Sequence, residues 1–248
     1  MKKRISYRCY RIIRWLVKLF YPKITAHGTE NLPEGEPFIA VGNHCKMNGP
    51  ISCELYFPVE RYTWCAGEMM HLKEVPDYAF SDFWSNKPAY NRWFFRILSY
   101  LIAPVSVCVF NNANCIGVYH GTRVMSTFRT TVDKLAHGIS VVIFPEHNVP
   151  HNDILYEFQE RYTDVARMYH KKTGKEICFV PLYIAPALKG LYLGRPVRFD
   201  SSAPKNEERK RINGYLMKEI TDIARTLPKH TVVPYPNIPK KDYPVNRK

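Results

Sequence analysis

Two apolar runs in this chain end abruptly on polar, chemistry-bearing residues, and nothing else in the sequence constrains the fold as tightly. Phe38-Ile39-Ala40-Val41-Gly42 leads into Asn43-His44-Cys45-Lys46-Met47-Asn48-Gly49-Pro50, and Val141-Val142-Ile143-Phe144 leads into Pro145-Glu146-His147-Asn148. Unbroken runs of this length, rich in β-branched residues, suit strands covered on both faces. Before the second run, Met125, Phe128, Val132 and Leu135 form an apolar stripe at helical spacing over Val124 to Ala136, and Gly138 closes that helix as a C′ residue does. Strand, loop, helix and strand in this order build a parallel sheet with crossover helices, which places its sites at the carboxyl ends of the strands. The expected fold class is α/β: a single domain with a mixed, mostly parallel sheet flanked by helices, preceded by an N-terminal amphipathic basic helix.

The remaining elements follow from periodicity and punctuation. A short helix is expected over Ile51 to Phe57, after a turn at Asn48-Gly49-Pro50, and strands over Tyr62 to Gly67 and Ile116 to His120. Tyr156 to His170 reads as a helix ended by Gly174. Ile177 to Ile184 reads as a strand whose internal Pro181 points to an edge or a bulge. Leu191 to Phe199 adds a strand with Arg195 and Arg198, Asn206 to Leu227 a long charged helix, and the tail from Pro228, with five prolines, an extended end.

Charge narrows the partners. Lys and Arg number 36 against 22 Asp and Glu, a net +14 that calls for an anionic partner: nucleic acid, an anionic membrane surface or a phosphorylated substrate. No nucleic-acid recognition motif accompanies the charge, so nucleic acid is not expected. The first twenty residues favour a membrane. Arg4, Arg8, Arg11, Arg14 and Lys18 fall within an arc of roughly 120° on a helix, with Ile5, Cys9, Ile12, Ile13, Leu16 and Phe20 opposite. A helix of this kind lies in the headgroup plane of an anionic leaflet and is too charged to span it. The division expected is therefore 1–22 as an interfacial helix and 23–248 as the α/β domain, held peripherally at the cytoplasmic face of a membrane.

Between Asp77 and Phe110 the aromatic residues Trp84, Tyr90, Trp93, Phe94, Phe95 and Tyr100 lie close to Lys87, Arg92 and Arg96. Arg96 and Pro104 interrupt the apolar run, so the reading is a helix ending near Ala103, either dipping into a membrane or packed in the core. Val105 to Phe110 follows as a buried strand. Seven cysteines, with no secretory signal pattern and no Cys-x-x-Cys, point to reduced thiols. Cys45, Cys53, Cys65 and His71 fit no familiar zinc spacing, and no metal is expected. P-loop, Gly-x-Gly-x-x-Gly and Gly-x-Ser-x-Gly patterns are absent from the sequence, which removes support for nucleotide hydrolysis and for nucleophile-elbow esterase chemistry.

Asn43-His44 after a strand, a strand and loop leading to Arg123, Phe144-Pro145-Glu146 after a further strand, and Val180-Pro181 beyond it form four ordered blocks. Together they resemble the glycerolipid acyltransferase family of the lysophosphatidic acid type, over about Pro37 to Ile184. The resemblance implies transfer of an acyl group from an acyl-CoA or acyl carrier protein thioester to a hydroxyl of a lysophospholipid or glycerol phosphate, with no cofactor beyond that co-substrate. It implies His44 as general base, a role that an imidazole titrating near neutral pH can fill, and Glu146 beside the acceptor. Arg123, with Arg129 as a second cation, would hold the phosphate, and Asn43, Phe144, Pro145 and His147 would line the substrate site.

Three departures stand out. Gly49 occupies the place of the family's aspartate, so that Asn48 is left as the neighbouring support for the imidazole. His147 stands where the family has glycine, and His120 stands near the usual arginine of the second block. A pairing of His44 with His147, with Glu146, Glu68 or Asp153 as the carboxylate, is the expected repair. The alternative is a catalytically impaired protein of the same fold that binds lysophospholipid or acyl-CoA.

Overall fold

The computed structural model describes residues 2–85, 87–119 and 121–247, which form seven α-helices and ten strands. In chain order these are α1 (Lys2–Phe20), β1 (Thr25–His27), β2 (Phe38–Gly42), α2 (Asn48–Tyr56), β3 (Arg61–Ala66), α3 (Val75–Trp84) and α4 (Arg92–Phe110). Then come β4 (Cys115–Val118), α5 (Val124–Ala136), β5 (Ser140–Ile143), β6 (Glu146–Pro150), β7 (Tyr156–Phe158) and α6 (Asp164–Thr173). The chain finishes with β8 (Cys178–Ala185), β9 (Gly190–Leu193), β10 (Val197–Arg198) and α7 (Lys205–Thr226). The fold class is α/β with a mixed, mostly parallel sheet and flanking helices, as the strand-loop-helix pattern implied. The chain divides into two compact units, one of Met1–Tyr21 with Tyr62–Thr127 and one of Pro22–Arg61 with Phe128–Lys248.

The second unit carries strands in the order β1-β9-β8-β2-β5, with β10 also paired to β8. β2 runs parallel to β5 on one side and to β8 on the other, and all five of its residues are buried. That is why its sequence is uninterrupted by polar residues. β9 returns antiparallel to β8, and the short β1, not foreseen from the sequence, adds parallel to β9. α7 packs against β8 and buries Ile212, Leu216 and Ile220.

Pro181 sits in a central strand rather than at an edge. Its carbonyl accepts the Gly194 N–H at 2.9 Å, so the missing N–H faces the same side, between the stretch of β8 paired with β10 and the stretch paired with β9. The lost donor falls in the gap where the partner strand changes, so no ladder bond is missing. The expected strand over Leu191 to Phe199 is split into β9 and β10 at this same irregularity.

Tyr156 to Phe158 is a strand and not the start of a helix. β7 pairs antiparallel with β6, and helix α6 begins only at Asp164. Local propensity is overridden here by the partner strand and by the buried Glu146, whose Oε1 accepts the Tyr156 N–H at 3.1 Å. Asn48, Gly49 and Pro50 likewise form the first turn of α2 instead of a turn before it, a place where proline costs no hydrogen bond.

The tail is a closed strap. After α7, Thr231 bridges to Val245, the Val232 N–H donates to Pro244 O at 2.9 Å, and the Asn246 N–H donates to His230 O at 3.1 Å. The buried Asn246 side chain accepts the His230 N–H and donates to Ala224 O at 2.7 Å. His230 Nδ1 faces the Pro228 carbonyl, which only accepts, so Nδ1 carries the proton and Nε2 accepts the Tyr183 hydroxyl at 2.8 Å. Both legs are thus fixed, and the proline-rich stretch between them is held as a loop.

In the first unit, β3 and β4 pair in parallel, and α3 packs on α4 around Met69, Val75, Ala79 and Ala103. α4 runs unbroken through Pro104 to Phe110, so the strand expected over Val105 to Phe110 is helix. A proline inside a helix costs about 3 kcal/mol. The end of α4 is secured by Ser106 Oγ on Met69 O at 3.0 Å and by Asn112, whose amide donates to Cys108 O at 2.6 Å and to Ser6 Oγ of α1 at 2.9 Å. By length and composition α4, extended to Ala89–Phe110, is apolar enough to cross a membrane, and little of it is buried. Trp93, Phe94, Ile97, Tyr100 and Leu101 are exposed on it. α1 buries Tyr10 and leaves Ile12, Trp15, Leu16, Leu19 and Phe20 exposed, Phe20 at 83%.

Candidate functional site

The carboxyl ends of β2 and β5 bring His44, Phe144 and Glu146 together within the second unit. Asn43 makes the turn out of β2. Its buried amide pairs with the Ile184 backbone of β8 in both directions, Nδ2 donating to the carbonyl at 3.0 Å and Oδ1 accepting the N–H at 2.7 Å. The family-like asparagine therefore holds the loop onto the sheet, with its hydrogen-bonding groups spent on protein. Cys45 and Lys46 follow with φ of 48° and 56°, two successive non-glycine residues in the left-handed region. Such a conformation is uncommon and survives where the surroundings over-determine it.

Gly49 shows why the loop takes this path. Its N–H donates to His44 O at 3.1 Å, and a Cβ built on it would lie 2.4 Å from that same oxygen and 3.2 Å from Phe144 Cε1. The loop is closed against itself at the position where the resemblance expects an aspartate, and it leaves no room for one. Asn48 folds its amide onto Cys45 O at 3.1 Å.

Glu146 is 4% exposed and approaches His44 from the backbone side. Its Oε2 accepts the His44 N–H at 2.6 Å and its Oε1 the Tyr156 N–H, so one carboxylate ties the end of β2 to the β6–β7 hairpin. Burial raises its pKa from 4.5 to about 7, against the pull of those two backbone N–H groups. The expected repair, a carboxylate on the imidazole, is not what the geometry provides: among the described residues no carboxylate hydrogen-bonds either ring nitrogen of His44. Desolvation instead lowers the ring from 6.5 to about 4, partly offset by a hydrogen bond to the Lys46 backbone. The ring packs edge-on against Phe144, centroids 5.4 Å apart, and against Tyr235 of the strap at 6.2 Å. Cys45 beside it is no nucleophile, because burial and the nearby Glu146 push its thiol well above its ordinary pKa.

Other sequence candidates lie elsewhere. His147 is on β6, partly exposed, and makes no hydrogen bond or ring contact with His44 among the described residues. Pro145 is buried, its carbonyl accepting the Gln159 N–H at 2.9 Å. Arg123 belongs to the first unit. There it is 55% exposed, pairs with Glu74 at 3.6 Å and stands over the Tyr119 ring at 4.5 Å. Arg129 lines an open groove of about 630 Å³ between α5 and α6 with Lys134, Lys171 and Lys172. Those helices lead to the amino ends of β5 and β8, whereas His44 stands at a carboxyl end. His120 lies outside the described residues.

Sequence reasoning missed Lys46, Tyr156, Tyr235 and Tyr243. The Lys46 ammonium donates to Tyr243 OH at 2.7 Å and to Asn237 Oδ1 at 3.2 Å, and Tyr235 meets Tyr156 at 6.1 Å. The five prolines of the tail were read as an extended end, whereas the tail folds back on itself as a strap whose legs pair with each other.

No family model matches the sequence, and no curated protein matches it. Among solved structures, the chain is similar to the crystal structure of the 1-acyl-sn-glycerophosphate (LPA) acyltransferase PlsC from Thermotoga maritima. That likeness has 19% identity and a TM-score of 0.49, and covers 90% of this chain and 83% of the other. It is too distant to carry a functional argument. The α/β assignment rests on the strand pairings themselves.

Proposed function

We propose that this chain is a membrane-associated acyltransferase. It would move a fatty acyl group from an acyl-CoA or acyl carrier protein thioester to a hydroxyl of a lysophospholipid or glycerol phosphate, with His44 as general base. The observation that carries the reading is the position of the His44 imidazole at the carboxyl ends of β2 and β5, against Phe144 and Tyr235. Burial keeps it neutral at physiological pH and at the same time weakens it as a base. The order of Asn43-His44, Arg123, Phe144-Pro145-Glu146 and Val180-Pro181 along the chain supports the same chemistry. Glu146 acts through the backbone: it holds the His44 loop in place, while the acceptor hydroxyl approaches from the ring side. The exposed apolar residues of α1 and α4, in a chain of net charge +14, support docking of the protein at an anionic cytoplasmic leaflet, where its acceptor resides.

A second reading is favoured by one specific observation, the closure of Gly49 against His44 O where a supporting aspartate was expected. On that reading the chain binds lysophospholipid or acyl-CoA without transferring the acyl group. Thiol release from a long-chain acyl-CoA, measured with and without lysophosphatidic acid or glycerol 3-phosphate, separates the two. Acceptor-dependent release with the acyl chain recovered in the lipid extract supports the enzyme. Tight binding of either ligand with no release supports the binder.

A further inference from the structure

We propose that the C-terminal strap orients the catalytic imidazole in place of the missing carboxylate, with Tyr235 as the positioning contact and Lys46 as the latch that holds the strap to the His44 loop. This rests on His44 being the base of the proposed reaction. Two contacts define the arrangement, beside the Lys46 backbone, which partly offsets the desolvation of the His44 ring. The side chain of the same residue reaches out to the strap, its Nζ donating to Tyr243 OH and Asn237 Oδ1 and standing 4.9 Å from the centre of the Tyr243 ring. The strap in turn lays Tyr235 against the ring at 84° between planes, and Phe144 meets the same ring at 73°.

Each of these replaces part of what an aspartate does for a histidine base. A carboxylate fixes the ring's tautomer and orientation and stabilises its cation. Two aromatic edges fix the orientation. The anchoring of both strap legs through His230 and Asn246 makes Tyr235 a rigid contact rather than a mobile one.

Four other titratable groups lie on the residues around this contact: Glu146 of β6, which bonds the His44 N–H, Tyr156 of β7 beside Tyr235, the neutral thiol of Cys45, and the Lys46 ammonium on the strap. None supplies a negative charge at a ring nitrogen. Opening the strap admits water, and the ring is then expected to titrate closer to 6.5.

The test combines imidazole titration by NMR with acyl-transfer kinetics on the full chain. Tyr235→Ala and Lys46→Met are expected to lower kcat at least tenfold with a smaller effect on KM, and to move the His44 titration upward. Tyr235→Phe, which keeps the ring edge, should recover most of the rate and the wild-type titration. If Tyr235→Ala fails to fold by circular dichroism, Lys46→Met and Tyr243→Phe decide, since both leave the ring contact intact and loosen the latch. Wild-type kcat and an unmoved His44 titration in the folded variants overturn the proposal. Full activity in His44→Ala overturns the functional reading instead, and the titration still reports whether the strap governs the ring.

Discussion

His44 and Glu146 are displaced in opposite directions by the same cause, burial, and their effects on stability therefore oppose each other. Between about pH 4 and 6.5 the unfolded chain binds a proton at His44 that the folded chain does not, so this residue makes stability rise with pH. Between 4.5 and about 7 the folded chain retains a proton on Glu146 that the unfolded chain has released, so stability falls as pH rises. Each amounts to about 3 kcal/mol over its full window, and the two slopes nearly cancel where the windows overlap. Urea unfolding midpoints of the wild type should accordingly change little between 4.5 and 6.5. His44→Ala removes the rising limb, and its midpoint should fall with pH. Glu146→Gln removes the falling limb, and its midpoint should rise. Three parallel profiles would contradict the opposed displacement of the two groups. Gly49→Asp belongs to this scale as well: its Cβ meets the His44 carbonyl oxygen, so it should lose about 2–3 kcal/mol of stability and gain no activity, although it supplies the residue that the sequence resemblance expects. A more active Gly49→Asp variant would mean that the loop opens readily.

Elements with a strong period of their own were legible in the sequence, and elements made by distant partners were not. Helix α5 spans Val124–Ala136 as its apolar stripe and Gly138 require, and β2 and β5 were readable as unbroken β-branched runs. Tyr156 to Phe158 carries no local reason to be a strand, since β7 is made by β6 and by the Glu146 carboxylate. Val105 to Phe110 has strand composition but is held helical by packing on α3 and by the side-chain bonds of Ser106, Asn111 and Asn112. Likewise His44, Phe144 and Glu146 could be grouped because each follows a recognisable strand, whereas Tyr235 and Tyr243 arrive from a tail whose path is set by His230 and Asn246. Asn246→Ala tests that dependence. It strands the His230 N–H and the Ala224 carbonyl, and should lower stability by about 2 kcal/mol in urea unfolding. A neutral effect would mean the strap legs are held by other contacts.

The whole molecule joins a charge surplus to exposed apolar helices, and the proposed function uses both at one surface. Binding to vesicles containing anionic phospholipid should exceed binding to zwitterionic ones and weaken as salt is raised, because exposed charges are screened within about 8–10 Å at moderate ionic strength. Trp15→Ser together with Phe20→Ser should cut vesicle binding at least tenfold without shifting the unfolding midpoint, since both side chains are exposed. Vesicle binding unchanged by the pair would remove α1 from the docking surface. The central claim, however, is that this fold performs acyl transfer with an imidazole that no carboxylate supports. The most direct test is the rate of thiol release from a long-chain acyl-CoA in the presence of lysophosphatidic acid, compared between the wild type and His44→Ala. Loss of a general base predicts a fall of at least about 100-fold, and equal rates in the two proteins would contradict the account.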